Sequence, residues 1–430
     1  MGDQAIGSLR MLESRNIYLE RYAYAKQYLS IDWSEQSPTL IVVLPSHNEP
    51  DLISSLESIE ACLLPQGAVS IVVVINASQN ASDALKAFHV ETYRHCQEWA
   101  VGKRYDYHFI LENELPAKHA GVGLARKIGM DEAVRAFDQI GRDGVILCYD
   151  ADSSCEPNLL QAVEQLFDSD PTIPGCSIHY EHPMSGDLPG GHYTGIIGYE
   201  LHLRYYIDAL QYAGFPYAYQ TIGSSMATRA SAYMKQGGMN RRKAGEDFYF
   251  LHRIIPLGNF KNLSATCIYP SARRSDRVPF GTGKAIGDWL EGGEKPYMTY
   301  HPTVFTDLKL FLDQVEILYE QGTEEVVYEG FPAVVRSFVS KELFLKKLKE
   351  IKSQSTTGEL FVKRFYQWFD GFKVLKYVHH ARDTCYPNVT VDEATNWLFT
   401  TQGVKSDLWS LEDKLVALRQ WDKQWSGPSI

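Results

Sequence analysis

The sequence predicts an α/β fold, with a mostly parallel central sheet followed by a helical C-terminal region. Three observations lead there. Short apolar runs rich in β-branched residues recur between residues 40 and 149. Stretches with helical spacing separate them. After about residue 300 only helical spacing with mixed charge remains.

The elements follow in order. Residues 1–37 read as a helical arm, in which Ile17, Leu19, Tyr22, Lys26 and Leu29 show no strand alternation. Leu40–Leu44 (LIVVL), Ile71–Ile75 (IVVVI) and Val145–Tyr149 (VILCY) are continuous apolar runs, with a shorter one at Phe109–Leu111. Each is apolar on both faces, as a strand covered by helices on both sides must be. Between them, Asp51–Leu63 sets Leu52, Leu56 and Ile59 on one helical face. Gly121–Phe137 does the same with Leu124, Ile128, Ala133, Val134 and Phe137. Strands alternating with helices imply crossovers and a parallel sheet. Residues 171–245, rich in Gly, Pro, Tyr and His, read as loops and less regular strands, with helix potential over Gly198–Ala213. Helical spacing then marks Phe305–Tyr319, Ala333–Ile351, Gly358–Tyr377 and Ser406–Trp425. The division is an arm (1–37), an α/β domain (38–300) and a helical region (301–430).

Composition narrows the function classes. The chain is 44% hydrophobic and 22% charged, which is ordinary for a globular protein. A net charge of −11 argues against a nucleic-acid partner and means that a phosphate-bearing ligand needs a cation or placed Arg and Lys. The seven cysteines, at 62, 96, 148, 155, 176, 267 and 385, have no CxxC spacing. They point to reduced thiols rather than a disulfide framework or a zinc knuckle. No apolar run is long enough for a transmembrane segment, and the N-terminus lacks a signal peptide's apolar stretch, so a soluble cytoplasmic protein is expected. The 26 Tyr and 8 Trp suit a ring-stacking ligand such as a sugar, although a Tyr-rich core gives the same composition.

Sheets of this kind bind ligands beyond the carboxyl ends of their strands. Those ends read Pro45-Ser46-His47-Asn48-Glu49, Asn76-Ala77-Ser78 and Asp150-Ala151-Asp152. A divalent Mg or Mn ion takes oxygen ligands and keeps positions open for phosphates, so Asp150 and Asp152 are metal-ligand candidates. The same stretch also reads as a turn that caps a helix at Asn158–Phe167. Glu246 and Asp247 open a helical stretch, either as favourable charges at its N-terminus or as a general base. Lys118–Arg126 (KHAGVGLAR) has small residues at a helix start, suited to phosphate approach or to close packing on a sheet. Arg273, Arg274 and Arg277 precede Gly281–Lys284 and form either a diphosphate clamp or a solvated turn.

Taken in this order, the segments resemble the family-two glycosyltransferases, which have the A-type fold of nucleotide-diphospho-sugar transferases. The resemblance rests on LIVVLPSHNEP, VVVINASQNAS, AGVGLARKIGM, YDADS, TIGSSMATRASAYMKQGGM and AGEDFYFLHRI, and runs roughly from Leu40 to Lys284. It implies metal-dependent transfer of a sugar from a UDP- or GDP-linked donor to a hydroxyl acceptor, with inversion in a single displacement, and makes 38–300 the catalytic domain. Pro45, His47, Asn48 and Glu49 would line the nucleotide pocket, with Asn76 and Ser78 near the base or ribose. Arg126, Arg273 and Arg277 would join the donor side. Asp150 would face the donor sugar or ribose, and Asp152 would hold the metal with Asp150 beside it. Asp247 would be the base, with Glu246 helping to position the acceptor.

Two departures stand out. Asn76 occupies the place where the family usually has an acidic residue, which leaves the nucleobase open. The third metal ligand, often a His after the acidic pair, has only His252 as a candidate, five residues past Asp247 and off its helical face. The nearest rival readings are a retaining transferase on the same scaffold and a non-catalytic sugar-nucleotide-binding protein. Nucleotidyl transfer fits poorly, because the loop after the first strand, Pro45–Pro50, has no glycine. In the C-terminal region, His379, His380 and Asp383 have a spacing compatible with a metal but equally with a helix end.

Overall fold

The computed structural model describes residues 16–275, 281–293, 295–320 and 324–425. Eight strands form one sheet: β1 (Leu40–Ser46), β2 (Val69–Ser78), β3 (Asp106–Leu115), β4 (Val145–Cys148), β5 (Ser154–Cys155), β6 (Gly175–Tyr180), β7 (Met226–Arg229) and β8 (Lys261–Tyr269). Their order is β3-β2-β1-β4-β7-β6-β8-β5. The first four are mutually parallel. β7 runs against both of its neighbours, β6 and β8 are parallel, and β5 closes antiparallel on β8. The four apolar runs of the sequence are β1 to β4, and the fold is the expected α/β class with a helical C-terminal region.

Up to residue 291 the described α-helices are α1 (Ile17–Arg21), α2 (Trp33–Gln36), α3 (Leu52–Glu60), α4 (Asp83–Ala100), α5 (Val122–Gln139), α6 (Leu159–Ser169), α7 (Gly190–Tyr212), α8 (Ala230–Lys235), α9 (Glu246–Ile254) and α10 (Thr282–Glu291). All seven β1 residues are buried, as its central place in a doubly covered sheet requires. Leu40, Val42 and Leu44 share one core cluster with Leu52, Leu56 and Ile59 of α3 and with Ile71, Val73 and Ile75 of β2. α5 covers the other face. A Cβ on Gly129 would lie 2.5 Å from Val43 Cγ1, so glycine lets that helix rest directly on the sheet.

Fourteen of the 18 residues of α5 are buried, including Arg126, Lys127, Asp131 and Glu132, so each of these polar groups needs a partner. The N-terminal arm supplies several. Tyr18 Oη and the Tyr24 backbone N–H donate to Asp131, each at 2.7 Å. The N–H groups of Tyr28 and Leu29 donate to Glu132. Here the arm departs from its helical reading. Between α1 and α2 the chain is not helical, because those amides serve carboxylates of α5 instead of the chain's own carbonyls.

The described residues up to Gly186, Thr221–Gly287 and the few from Asp422 form one compact unit. Asp187–Gln220 and Asp288–Trp421 form a second, so α7, which falls inside the 38–300 stretch, groups with the C-terminal helices. Within the second unit Glu200 accepts from Arg204 and Arg419 at 2.8 Å, all three buried. Phe311 meets Phe331 and Phe369 at centroid distances of 4.9 and 5.0 Å. A short ribbon pairs β9 (Met298–Thr299) with β10 (Val389–Thr390). Two long predicted helices are each split by an N-cap. Ser340 caps Lys341–Ser353, and Asp370 caps Gly371–Thr384. Among the described residues no helix is long and apolar enough to cross a membrane. All seven cysteines are free thiols.

Candidate active site

The site is assembled from strand ends and helix starts of the sheet-bearing unit. At the end of β1, Pro45 and Ser46 stay in register with Val74 and Ile75 of β2. The chain then turns at Asn48, whose φ of 49° lies in the left-handed region that Asn tolerates better than most residues. The Asn48 N–H donates to His89 Nε2 at 3.0 Å, and His89 Nδ1 bonds Asn113 Oδ1 at 2.9 Å. Burial, opposed by the Asn113 contact and aided by nearby His47, holds the His89 pKa below the usual range, which keeps Nε2 an acceptor. His47 Nδ1 is 2.7 Å from the Asn76 carbonyl, while Asn76 Nδ2 donates to the Ser46 carbonyl at 2.9 Å. The Asn76 amide is thus turned onto the strand ends. Ser78, just past an irregularity in the β2–β3 pairing, accepts from the Asn80 N–H. Glu49 is buried; it accepts from the Asp51 N–H at 2.9 Å and pairs with Arg273.

The loop after β4 carries Asp150 and Asp152, and α3 holds it in place. Ser55 Oγ lies 2.8 Å from the carbonyls of both Ala151 and Ser153, and the Cys155 N–H donates to Ser58 Oγ at 3.0 Å. Asp150 Oδ1 accepts from Arg126 Nη2 at 2.7 Å. Asp152 lies 3.5 Å from Arg273, which also pairs with Asp51 at 2.8 Å. The capping alternative for this stretch does not form, since α6 begins after Asn158 and has no side-chain cap.

Glu246 and Asp247 open α9. Gly245 precedes them with φ 67°, and no side chain caps the helix. Glu246 is buried and accepts from Arg126 Nη1, while Asn240 Nδ2 holds the Glu246 carbonyl at 2.8 Å. Asp247 Oδ1 accepts from the Phe248 N–H at 2.7 Å. Burial drives both carboxyls upward. Glu246 reaches about 7, with Arg126 opposing the rise and Asp247 adding to it. Asp247 rises against Arg126 and the Phe248 N–H. A Cβ on Gly223 would lie 2.7 Å from Arg126 Nη1 and 3.0 Å from Asp247 Oδ2, so guanidinium and carboxylate converge on that glycine.

Other sequence candidates fall elsewhere. Arg277 lies outside the described residues. His252 packs edge-on against Phe248 at 4.3 Å, and burial lowers its pKa to about 4. Among the described residues, no cluster of three His, Cys, Asp or Glu donors includes Asp150, Asp152 or His252. One trio of such donors does form, His179, Glu181 and Cys267. There Glu181 Oε1 lies 3.0 Å from His179 Nε2 and 2.7 Å from the Lys423 ammonium. The small residues at the start of α5 serve packing. A Cβ on Gly123 would lie 2.2 Å from the Arg242 carbonyl, and one on Gly121 2.9 Å from Lys243 Cα. His379 bonds Tyr300 and His380 bonds Ser337, which separates that pair. Sequence reasoning did not single out His89, Asn113, Ser55 or Asn240, and it assigned Gly223 no role of its own. Most of them matter through a partner distant in the chain, as Ser55 does through the Ala151 and Ser153 carbonyls.

No family model matches the chain, and no curated protein matches it significantly. Among solved structures the chain is similar to S. aureus TarS 1–349 in complex with UDP-GlcNAc, at 12% identity, covering 77% of this chain and 92% of that one, with a TM-score of 0.39. It is also similar to the mannosyltransferase PcManGT from Pyrobaculum calidifontis in complex with GDP-Man and Mn2+, at 12% identity, covering 98% and 96%, with a TM-score of 0.33. Likenesses this distant decide nothing about chemistry.

Proposed function

We propose that the chain is a glycosyltransferase that moves a sugar from a nucleotide-diphosphate-sugar donor, UDP- or GDP-linked, to a hydroxyl acceptor. The supporting observation is the junction at Arg126. It joins Asp150, from the loop after a parallel strand, to the helix start that carries Glu246 and Asp247. Acids from two elements meet there at the carboxyl end of the sheet, where a bound ligand is expected.

Asp247 is the base in this reading. The acceptor oxygen forms a bond to the anomeric carbon as the bond from that carbon to the diphosphate oxygen breaks, and the hydroxyl proton passes to Asp247. A single displacement inverts the anomeric centre. A carboxyl raised by burial is a stronger base than an ordinary Asp, which suits that proton transfer. Asp152 and Asp150 are partly exposed oxygen donors, with side-chain exposures of 27% and 37%. They fit a hard divalent cation, Mn or Mg, which when bound supplies Lewis-acid stabilisation of the departing diphosphate. Arg273, beside Asp152, adds positive charge on the same side. The nucleotide would lie over Pro45, His47, Asn48, Glu49, Asn76 and Ser78. With the Asn76 amide committed to Ser46, His47 and Ser78 would meet the base or ribose.

Calorimetric titration with UDP, GDP and their sugar conjugates, with and without Mn, tests the donor class. Metal-dependent micromolar binding of one nucleotide is expected; a folded protein that binds none of them refutes the reading. Asp247→Asn should lower turnover by about 10²–10⁴-fold and leave donor binding intact. Near-normal turnover in that variant, or a product that retains the donor's anomeric configuration, removes Asp247 from the role of single-step base.

A further inference from the structure

We propose that Arg126 is the positioning residue of this site: it locks the Asp150 loop and the Glu246–Asp247 helix start into one geometry and does not itself grip the donor. The inference rests on the transferase reading and deepens it. Arg126 is among the largest fully buried side chains, with 1% exposure. Its Nη2 is spent on Asp150 and its Nη1 on Glu246. Its Nε is also buried and has no hydrogen-bond partner. A guanidinium placed this way reaches carboxylates on two separate elements and, at 1% exposure, presents almost no surface to solvent.

Three further contacts are built around the same group. Gly223 leaves the space that Arg126 and the Asp247 carboxylate share. Gly123 lets the 240–246 loop cross α5 closely enough to bring Glu246 over Arg126; a Cβ there would lie 3.0 Å from Glu246 Cβ. Asn240 pins the Glu246 carbonyl. The groups facing Arg126 are therefore Asp150 from the β4 loop and Glu246 and Asp247 from α9. A planar, forked cation can serve two carboxylates at once, whereas a lysine is a single point charge. Without the bridge the two elements repel through their acids and the base loses its fixed distance from the donor side. A misplacement of about 1 Å can cost about 10²-fold in rate without weakening ligand binding.

The test compares wild type with Arg126→Ala, Arg126→Lys and Gly223→Ala for sugar transfer, donor KM and melting temperature. Expected is a loss of about 10²-fold in kcat for Arg126→Ala, with donor KM within a few-fold of wild type. Added guanidinium ion should restore much of the loss, and urea, its neutral analogue of similar shape, should not. Arg126→Lys should recover only part of the rate. If Arg126→Ala fails to fold, Gly223→Ala presses on the same guanidinium while keeping its charge, and should lower kcat with KM unchanged. A donor KM that rises with kcat preserved would make Arg126 a donor ligand and overturn the proposal. So would full turnover in every variant that folds, or equal rescue by urea. A wild type that transfers from no sugar nucleotide sinks the transferase reading, and this inference with it; an active wild type with equally active variants sinks the inference alone.

Discussion

Burying a guanidinium costs several kcal/mol unless charged partners compensate, and Arg126 has them in Asp150 and Glu246. Burial alone would lower its pKa, yet the two carboxylates raise it, so the side chain stays charged. Asp152 has a different task. It is partly exposed, beside Arg273, and belongs to the proposed cation site. Asp152→Ala should therefore weaken Mn-dependent donor binding by about tenfold or more while leaving metal-free nucleotide binding unchanged. Titration of the nucleotide with and without Mn checks this, and an unaltered metal dependence would remove Asp152 from the ligand set. At this scale the sequence made residue types and strand-end positions legible. Asp150, Asp152, Glu246 and Asp247 were all visible as candidates. It did not disclose that Arg126 would pair with acids from two separate elements, because that depends on where residue 246 falls in space.

The elements are held by close approaches that single residues permit. α5 lies on β1 and β2 because residue 129 is glycine; an added Cβ would meet Val43 Cγ1 at 2.5 Å and Val74 Cγ2 at 3.2 Å. Both valines are fully buried, so neither has room to yield. Gly129→Ala gains about 1 kcal/mol in helix propensity but overpacks the interface at a cost of about 1–3 kcal/mol. A net destabilisation of about 1 kcal/mol is expected in urea unfolding. A more stable variant would mean that the helix can lift from the sheet. β1, β2 and β4 were readable from their apolar runs, and α3 and α5 from their spacing. The arm was less so. Its Tyr-rich segment lacks strand alternation, but its backbone amides go to Asp131 and Glu132, and no local pattern records that. The splits at Ser340 and Asp370 were in principle readable as caps, but continuous helical spacing across them concealed the breaks.

Over the whole molecule the clearest consequence of the site is a pH dependence of stability. The folded Glu246 carboxyl, raised mainly by burial, titrates near 7 against 4.5 for a free carboxyl. Its favourable contribution is therefore complete below about 4.5 and is lost as pH rises through about 7. Glu246→Gln removes that dependence. The variant should gain in melting temperature relative to wild type as pH is raised from about 4.5 to 7. Parallel melting curves across that range would exclude the raised carboxyl. The chain's net charge of −11 adds a general repulsion to this local one, and it is the reason a phosphate ligand would need Arg273 or a cation nearby.

The sequence by itself determined the α/β class, the four parallel strands and the polar strand ends. These follow from hydrophobic periodicity and β-branched runs, which act over a few residues. Tertiary structure alone decided which acids meet. Asp150 and Glu246 are 96 residues apart in the chain and share one buried arginine. It also placed α7 with the C-terminal helices and turned Asn76 onto the strand ends. Those outcomes depend on packing and on the need of every buried charge and amide for a partner, and such partners are chosen in space rather than along the sequence.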